Sequence, residues 1–396
     1  MMLLVRASTA SPESCTASKE KSPLNSKFRL SPLIVSLVLC CFAVLLASAA
    51  SAQISQEYRR VNLVSDIPGV ALRSDPNLVN CWGIAFSPTS PVWIANNGTG
   101  TSTLYLRDGT PAPTPVAPLI VKIPSPNAGE TAAPTGLVLN TATTGFFVSS
   151  GAKSGPSIFI FSTEDGTIAG WSPAVDLHNA VIAVPNSGSA VYKGLATGTS
   201  GGKPFIHATN RHDGVVEMYD SSFHLAKSFT DPTVPAGFAP FGIENIDGDL
   251  YVTFALQDAD KHDDVRGAGN GFIDVFTTDG TWKSRFASNG VLDSPWGLAL
   301  APPSFGKFAH RLLVGNFGDG RINAFDFPSG ISEGPLQDTL GQPMTVNGLW
   351  GLKFANGGPS GRKNHLLFTA GIGDESHGLF GLIRPADAED KHDDTE

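Results

Sequence analysis

The chain has 396 residues, a formal net charge of −9, 43 glycines and 29 prolines. At 41% apolar and 16% charged it is too apolar for a disordered chain, and its many helix breakers exclude a helical bundle. The acidic balance disfavours nucleic acid and anionic membranes as partners.

In chain order, the first expected element is an export leader over residues 1–52. Lys19, Lys21, Lys27 and Arg29 precede an uncharged apolar run over 33–50, and Ala50-Ser51-Ala52 offers a cleavage pattern before Gln53. The alternative is an uncleaved anchor, since the run is close to the ~18 residues that span a bilayer. Cleavage implies a secreted or periplasmic chain with no stable membrane insertion, and a monomer is expected. Cys15, Cys40 and Cys41 leave with the leader, so Cys81 stands alone and no internal disulfide can form. Nothing basic in its local sequence would activate it, so it is expected to be a buried, inert thiol.

Residues 53–385 are expected to form one all-β domain built from a repeat. The copies are Trp82-Gly83-Ile84, Thr135-Gly136-Leu137, Lys193-Gly194-Leu195, Phe241-Gly242-Ile243, Trp296-Gly297-Leu298 and Trp350-Gly351-Leu352. Successive glycines stand 48 to 58 residues apart. Each copy is followed by further short apolar runs between turn signals, which read as strands. Expected second strands include 92–95, 146–149, 205–209 and 250–254. Many runs are apolar at consecutive positions, so both faces of each sheet need cover. Sheets packed face to face around an axis meet that need: a six-bladed β-propeller. A β-sandwich or open solenoid is the alternative. The last copy lacks a fourth strand, and residues 58–64 are an unpaired strand before the first copy. Pairing them would close the ring and cover an open edge. Residues 386–396 are expected to be an acidic tail.

In a four-stranded meander the lead-in to the innermost strand and the loop between second and third strands share one rim. The expected loops on that rim include Asn96-Asn97-Gly98-Thr99, Ser149-Ser150-Gly151 and Thr209-Asn210-Arg211-His212-Asp213. The fourth holds Asp258, Asp260, Asp263 and Asp264 within seven positions. Four carboxylates so close repel unless a cation offsets them, and oxygen-rich clusters suit Ca²⁺ or Mg²⁺. A solvated cluster partly neutralised by Lys261 and Arg266 is the alternative. His212 beside Asp213, His262 in the acidic loop and His377 after Glu375 are candidate bases or metal ligands. Asn96, Asn210 and Asn316 recur at the ends of second strands; they could face a ligand or simply serve turn chemistry. Trp82, Trp296 and Trp350 recur at one blade position and fit inter-blade packing better than sugar stacking.

The run Asp258-Ala259-Asp260-Lys261-His262-Asp263-Asp264-Val265, followed by Gly269-Asn270-Gly271-Phe272-Ile273-Asp274-Val275-Phe276, resembles an uncharacterised family of exported bacterial proteins. Asn80-Cys81-Trp82-Gly83-Ile84-Ala85, Asn347-Gly348-Leu349-Trp350-Gly351-Leu352 and His377-Gly378-Leu379-Phe380-Gly381 resemble it too. Some members carry a PEP-type sorting signal, which this acidic C-terminal stretch does not match. The resemblance implies a propeller similar to NHL-repeat proteins and no established activity. Two functions follow as expectations. One is a binding propeller whose rim takes a protein partner, a carbohydrate or a divalent cation. The other is a metal-dependent hydrolase or lactonase similar to gluconolactonase propellers, with a metal in the axial channel.

Overall fold

The computed structural model describes residues 56–386, apart from 143, 187 and 328. The expected leader and the tail beyond residue 386 lie outside these described residues. Six antiparallel sheets surround an axis. Blade 1 runs outward through Cys81–Ala85, Val92–Asn96, Thr101–Tyr105 and Ile120–Lys122. Blade 2 follows with Pro134–Leu139, Phe159–Thr163, Ile168–Trp171 and Val181–Val184. Blades 3, 4 and 5 open with Tyr192–Ser200, Phe238–Ile246 and Pro295–Leu300. Blade 6 has Leu349–Phe354, Leu366–Ala370 and Leu379–Pro385, and its fourth strand is the N-terminal Tyr58–Ser65. That strand pairs antiparallel with the third, Val61 facing Leu382 and Tyr58 facing Pro385. The ring is therefore closed by its own N-terminal segment, as the unpaired strand implied.

The repeated glycine is a steric requirement of that ring. A Cβ at Gly136 would stand 2.5 Å from the Leu195 nitrogen of blade 3, and one at Gly242 2.0 Å from the Trp296 carbonyl of blade 5. At five of the six copies an added Cβ would fall within 3.0 Å of the next blade, and at Gly194 it would stand 3.0 Å from the Phe241 carbonyl. The residue before each glycine sets what fills the axis. Trp350 stacks between Trp82 and Phe317, with ring centroids 3.4 and 3.8 Å away. Trp296 meets Trp82 and Trp350 edge-on, and Phe241 meets Trp350 likewise. The indoles thus plug the channel rather than present a stacking surface.

Blade 2 departs from the expected strand order. The run placed as its second strand is the outer arm of a hairpin, Phe147–Ser150 paired with Lys153–Pro156, inserted before the true second strand Phe159–Thr163. Only Val148 of that first arm is buried, so it is an apolar run that covers one spot rather than a blade layer. Ser149-Ser150-Gly151 is consequently not a rim loop. The turn between second and third strands is Glu164-Asp165-Gly166-Thr167 instead. Cys81 is buried as expected, and loss of hydration pushes its thiol up to about 12.

Candidate functional site at the channel mouth

Above the aromatic plug, polar side chains from five blades meet. Lys193 stands at the start of the blade 3 inner strand, and its side chain is 1% exposed. Its ammonium pairs with Glu164 Oε1 from the blade 2 turn and lies 3.1 Å from Asp263 Oδ1 of the blade 4 loop. It also sits 5.4 Å from the Trp82 ring centroid, where the ring face favours a cation. Asn97 of blade 1 donates through Nδ2 to Glu164 Oε2 at 2.7 Å. Asn80, in the lead-in to blade 1, donates to Asn97 Oδ1 at 3.2 Å and to Glu375 Oε2 of blade 6 at 2.9 Å. Its Oδ1 accepts both the Trp82 and Trp350 indole N–H groups at 3.1 Å. One amide therefore couples the polar layer to the plug below.

The charges of this layer are mutually adjusted. His262 Nδ1 lies 2.9 Å from Asp263 Oδ1. That hydrogen bond raises the imidazole pKa and, with Lys193 adding to it, holds the Asp263 carboxyl well below the usual carboxylate range. Burial pushes the Glu375 carboxyl up, and the Glu164 charge adds to this. The exposed part of the site is its blade 4 side, where the Asp263 and His262 side chains are 67% and 44% exposed.

The acidic loop is held from below by Arg211. This side chain is fully buried, lies 4.7 Å from the Phe241 centroid, and donates through Nη2 to the carbonyls of Leu256 and Asp263 at 2.8 and 2.9 Å. Gln257 closes the clasp by donating to the Arg211 carbonyl at 2.6 Å. Burial lowers the Arg211 guanidinium to about 10 and raises the nearby Asp264 carboxyl.

The residues singled out from sequence divide into two groups. Asn97, His262 and Asp263 join the mouth. Asn96 donates to Thr101 and Thr103 of its own blade, Asn210 to Asp213 and Glu217, and Asn316 to the Val291 carbonyl and Asp319. All three side chains are fully buried, and the Oδ1 atoms of Asn96 and Asn316 have no hydrogen-bond partner among the described residues. His212 pairs with Asp213 at 3.0 Å and His377 with Asp66 at 2.6 Å, and the His377 carbonyl accepts the Asn80 backbone amide at 3.3 Å. The four aspartates do not gather into one ligand set. Asp258 accepts the His262 amide at 2.8 Å, Asp260 is exposed, Asp264 is half-buried and Asp263 alone reaches Lys193. Each aspartate that is engaged has its own partner, so the four charges are not drawn to a common point. Among the described residues, one set of His, Cys, Asp and Glu brings ligand atoms within 4.8 Å of one another: Glu164, His262 and Asp263. Glu164, Lys193, Glu375 and Asn80 were not singled out from sequence. Glu164 was hidden by the hairpin insertion, and Lys193 by its place inside the repeat.

No protein-family model matches the chain. The uncharacterized protein R648 of Acanthamoeba polyphaga mimivirus is 33% identical over 333 residues, spanning 81% of this chain and 78% of that protein. Protein L690 of the same virus is 32% identical over 302 residues, spanning 73% and 77%. These relatives are viral, whereas the sequence motifs pointed to bacterial proteins. Among solved structures, virginiamycin B lyase from Staphylococcus aureus covers 83% of this chain and 99% of its own, at 15% identity and a TM-score of 0.48. The soluble aldose sugar dehydrogenase from Escherichia coli covers the same shares at 13% identity and a TM-score of 0.48.

Proposed function

Because this chain belongs to the same protein family as the mimivirus proteins R648 and L690, we propose for it a function that rests on the channel mouth rather than on any relative's activity: binding of a small hydroxyl-rich ligand, a saccharide. The observation that carries this is one buried lysine tied to carboxylates from two other blades, with an amide network and a partly exposed His–Asp pair around it. A buried ionic cluster is weak support for stability, because desolvation offsets much of the attraction. Its value here is a rigid field of donors and acceptors. The carboxylates of Glu164 and Asp263 accept, the imidazole of His262 donates, and sugar hydroxyls do both, while the buried Lys193 and Asn80 hold these groups in place.

A second reading is a metal-dependent hydrolase, favoured by the approach of Glu164, His262 and Asp263. Those three would hold the ion, which would polarise a carbonyl or activate water. Lys193 already pairs with both carboxylates, so an ion would have to displace or share with a buried ammonium.

Glycan-array screening followed by calorimetry tests the proposal. Glu164→Gln and Asp263→Asn should each weaken the best saccharide by about tenfold or more, or ~1.4 kcal/mol. No saccharide binding, or variants that bind as well as the original, would refute it. Stoichiometric Ca²⁺ or Mg²⁺ in the purified protein, with a melting temperature lowered by chelator, would replace it with the second reading.

A further inference from the structure

The third member of the repeated tripeptide is not used by the mouth. Ile84, Leu137, Leu195, Ile243, Leu298 and Leu352 line a narrow shaft below the plug. Glu244 and Lys353 follow two of these residues at the lower end, where Lys353 Nζ lies 3.2 Å from Glu244 Oε1. The two belong to blades 6 and 4, which are not neighbours, so the pair reaches across the shaft. Beside it lies a cavity of about 290 Å³ lined by Phe86, Leu137, Leu139, Leu195, Glu244 and Lys353, among others. Four of these residues also line the shaft, so shaft and cavity form one recess.

We infer that this recess binds a small zwitterion carrying a branched aliphatic side chain, the chemistry of an aliphatic α-amino acid. The apolar wall takes the side chain. Lys353 takes the carboxylate and Glu244 the ammonium. Each charged side chain is about one-third exposed, at 34% and 35%. A pair so open to water is weak, so exchanging it for two ligand pairs costs little. A ligand with a single charge would replace one weak pair by only one new pair, so it gains less than a zwitterion that makes two. The cavity is at the small end of the ~300–1,000 Å³ range of ligand pockets, which favours a molecule of this size.

Calorimetric titration with L-leucine, 4-methylpentanoate and isoamylamine tests the inference. Leucine should bind saturably, and each singly charged analogue about tenfold more weakly or worse. Lys353→Met and Glu244→Gln alter partly exposed side chains and should remain folded, which their melting curves verify. Each should lower leucine affinity by about tenfold. Leucine that fails to bind, analogues that bind equally well, or variants that keep the original affinity would overturn the inference.

Discussion

Asp274 lies wholly buried on the third strand of blade 4. Arg285 on the fourth strand pairs through Nε with Asp274 and through Nη2 with Asp231 at 2.7 Å. One guanidinium thus serves two buried carboxylates. Burial pushes the Asp274 carboxyl up to about 7, with Arg285 opposing and Asp231 adding to the rise. An unfolded aspartate titrates near ~3.9. Between those values the folded chain holds a proton that the unfolded chain has lost, so stability falls as pH rises and levels off above the folded value. Asp231 is shifted downward, so its own contribution is lost only below the ordinary aspartate range. Melting temperatures measured from roughly pH 5 to 8, a span around the Asp274 titration, should fall more steeply for the original chain than for Asp274→Asn. Parallel curves would show that Asp274 is ionised throughout. At this scale sequence alone was least informative. Glu164, Lys193 and Asp263 lie far apart in the chain, and only their blades bring them together.

The glycine of each inner strand is the element-scale feature most open to a direct test. Gly242→Ala would drive a methyl into the Trp296 carbonyl, whereas a Cβ at Gly188 meets nothing within 4 Å. Overpacking of this kind typically costs ~1–3 kcal/mol, and a backbone obstacle cannot swing aside. Gly242→Ala should therefore lower the denaturant midpoint clearly, while Gly188→Ala should leave it nearly unchanged. Equal midpoints would remove the close-approach account of the repeat. Five of the six blades were legible in strand order, because one apolar run stood where each second strand was expected. Blade 2 offered two such runs. Spacing could not tell the hairpin arm at Phe147–Ser150 from the blade strand at Phe159–Thr163, since their difference lies in which neighbours cover them. That ambiguity removed Glu164 from view.

For the whole molecule, closure depends on Tyr58–Ser65 completing blade 6. Tyr58 also fastens blade 6 to blade 5: its hydroxyl donates to the Phe305 carbonyl at 2.9 Å and accepts the Phe308 amide at 3.1 Å. A chain shortened to begin after Ser65 would leave the Leu379–Pro385 edge unpaired, and open edges invite pairing with other copies. It should melt at lower temperature and associate on light scattering. A shortened chain that stays monomeric with unchanged melting would show that the ring holds without this strand.

Turn-rich composition and six evenly spaced glycine tripeptides determined the class of fold, the number of blades and the closing strand. These are local properties repeated along the chain, and repetition makes them legible. Tertiary structure decided which charges share a site. Aspartates close in sequence find different partners, while Lys193 and Glu164 meet from neighbouring blades whose packing no local pattern encodes.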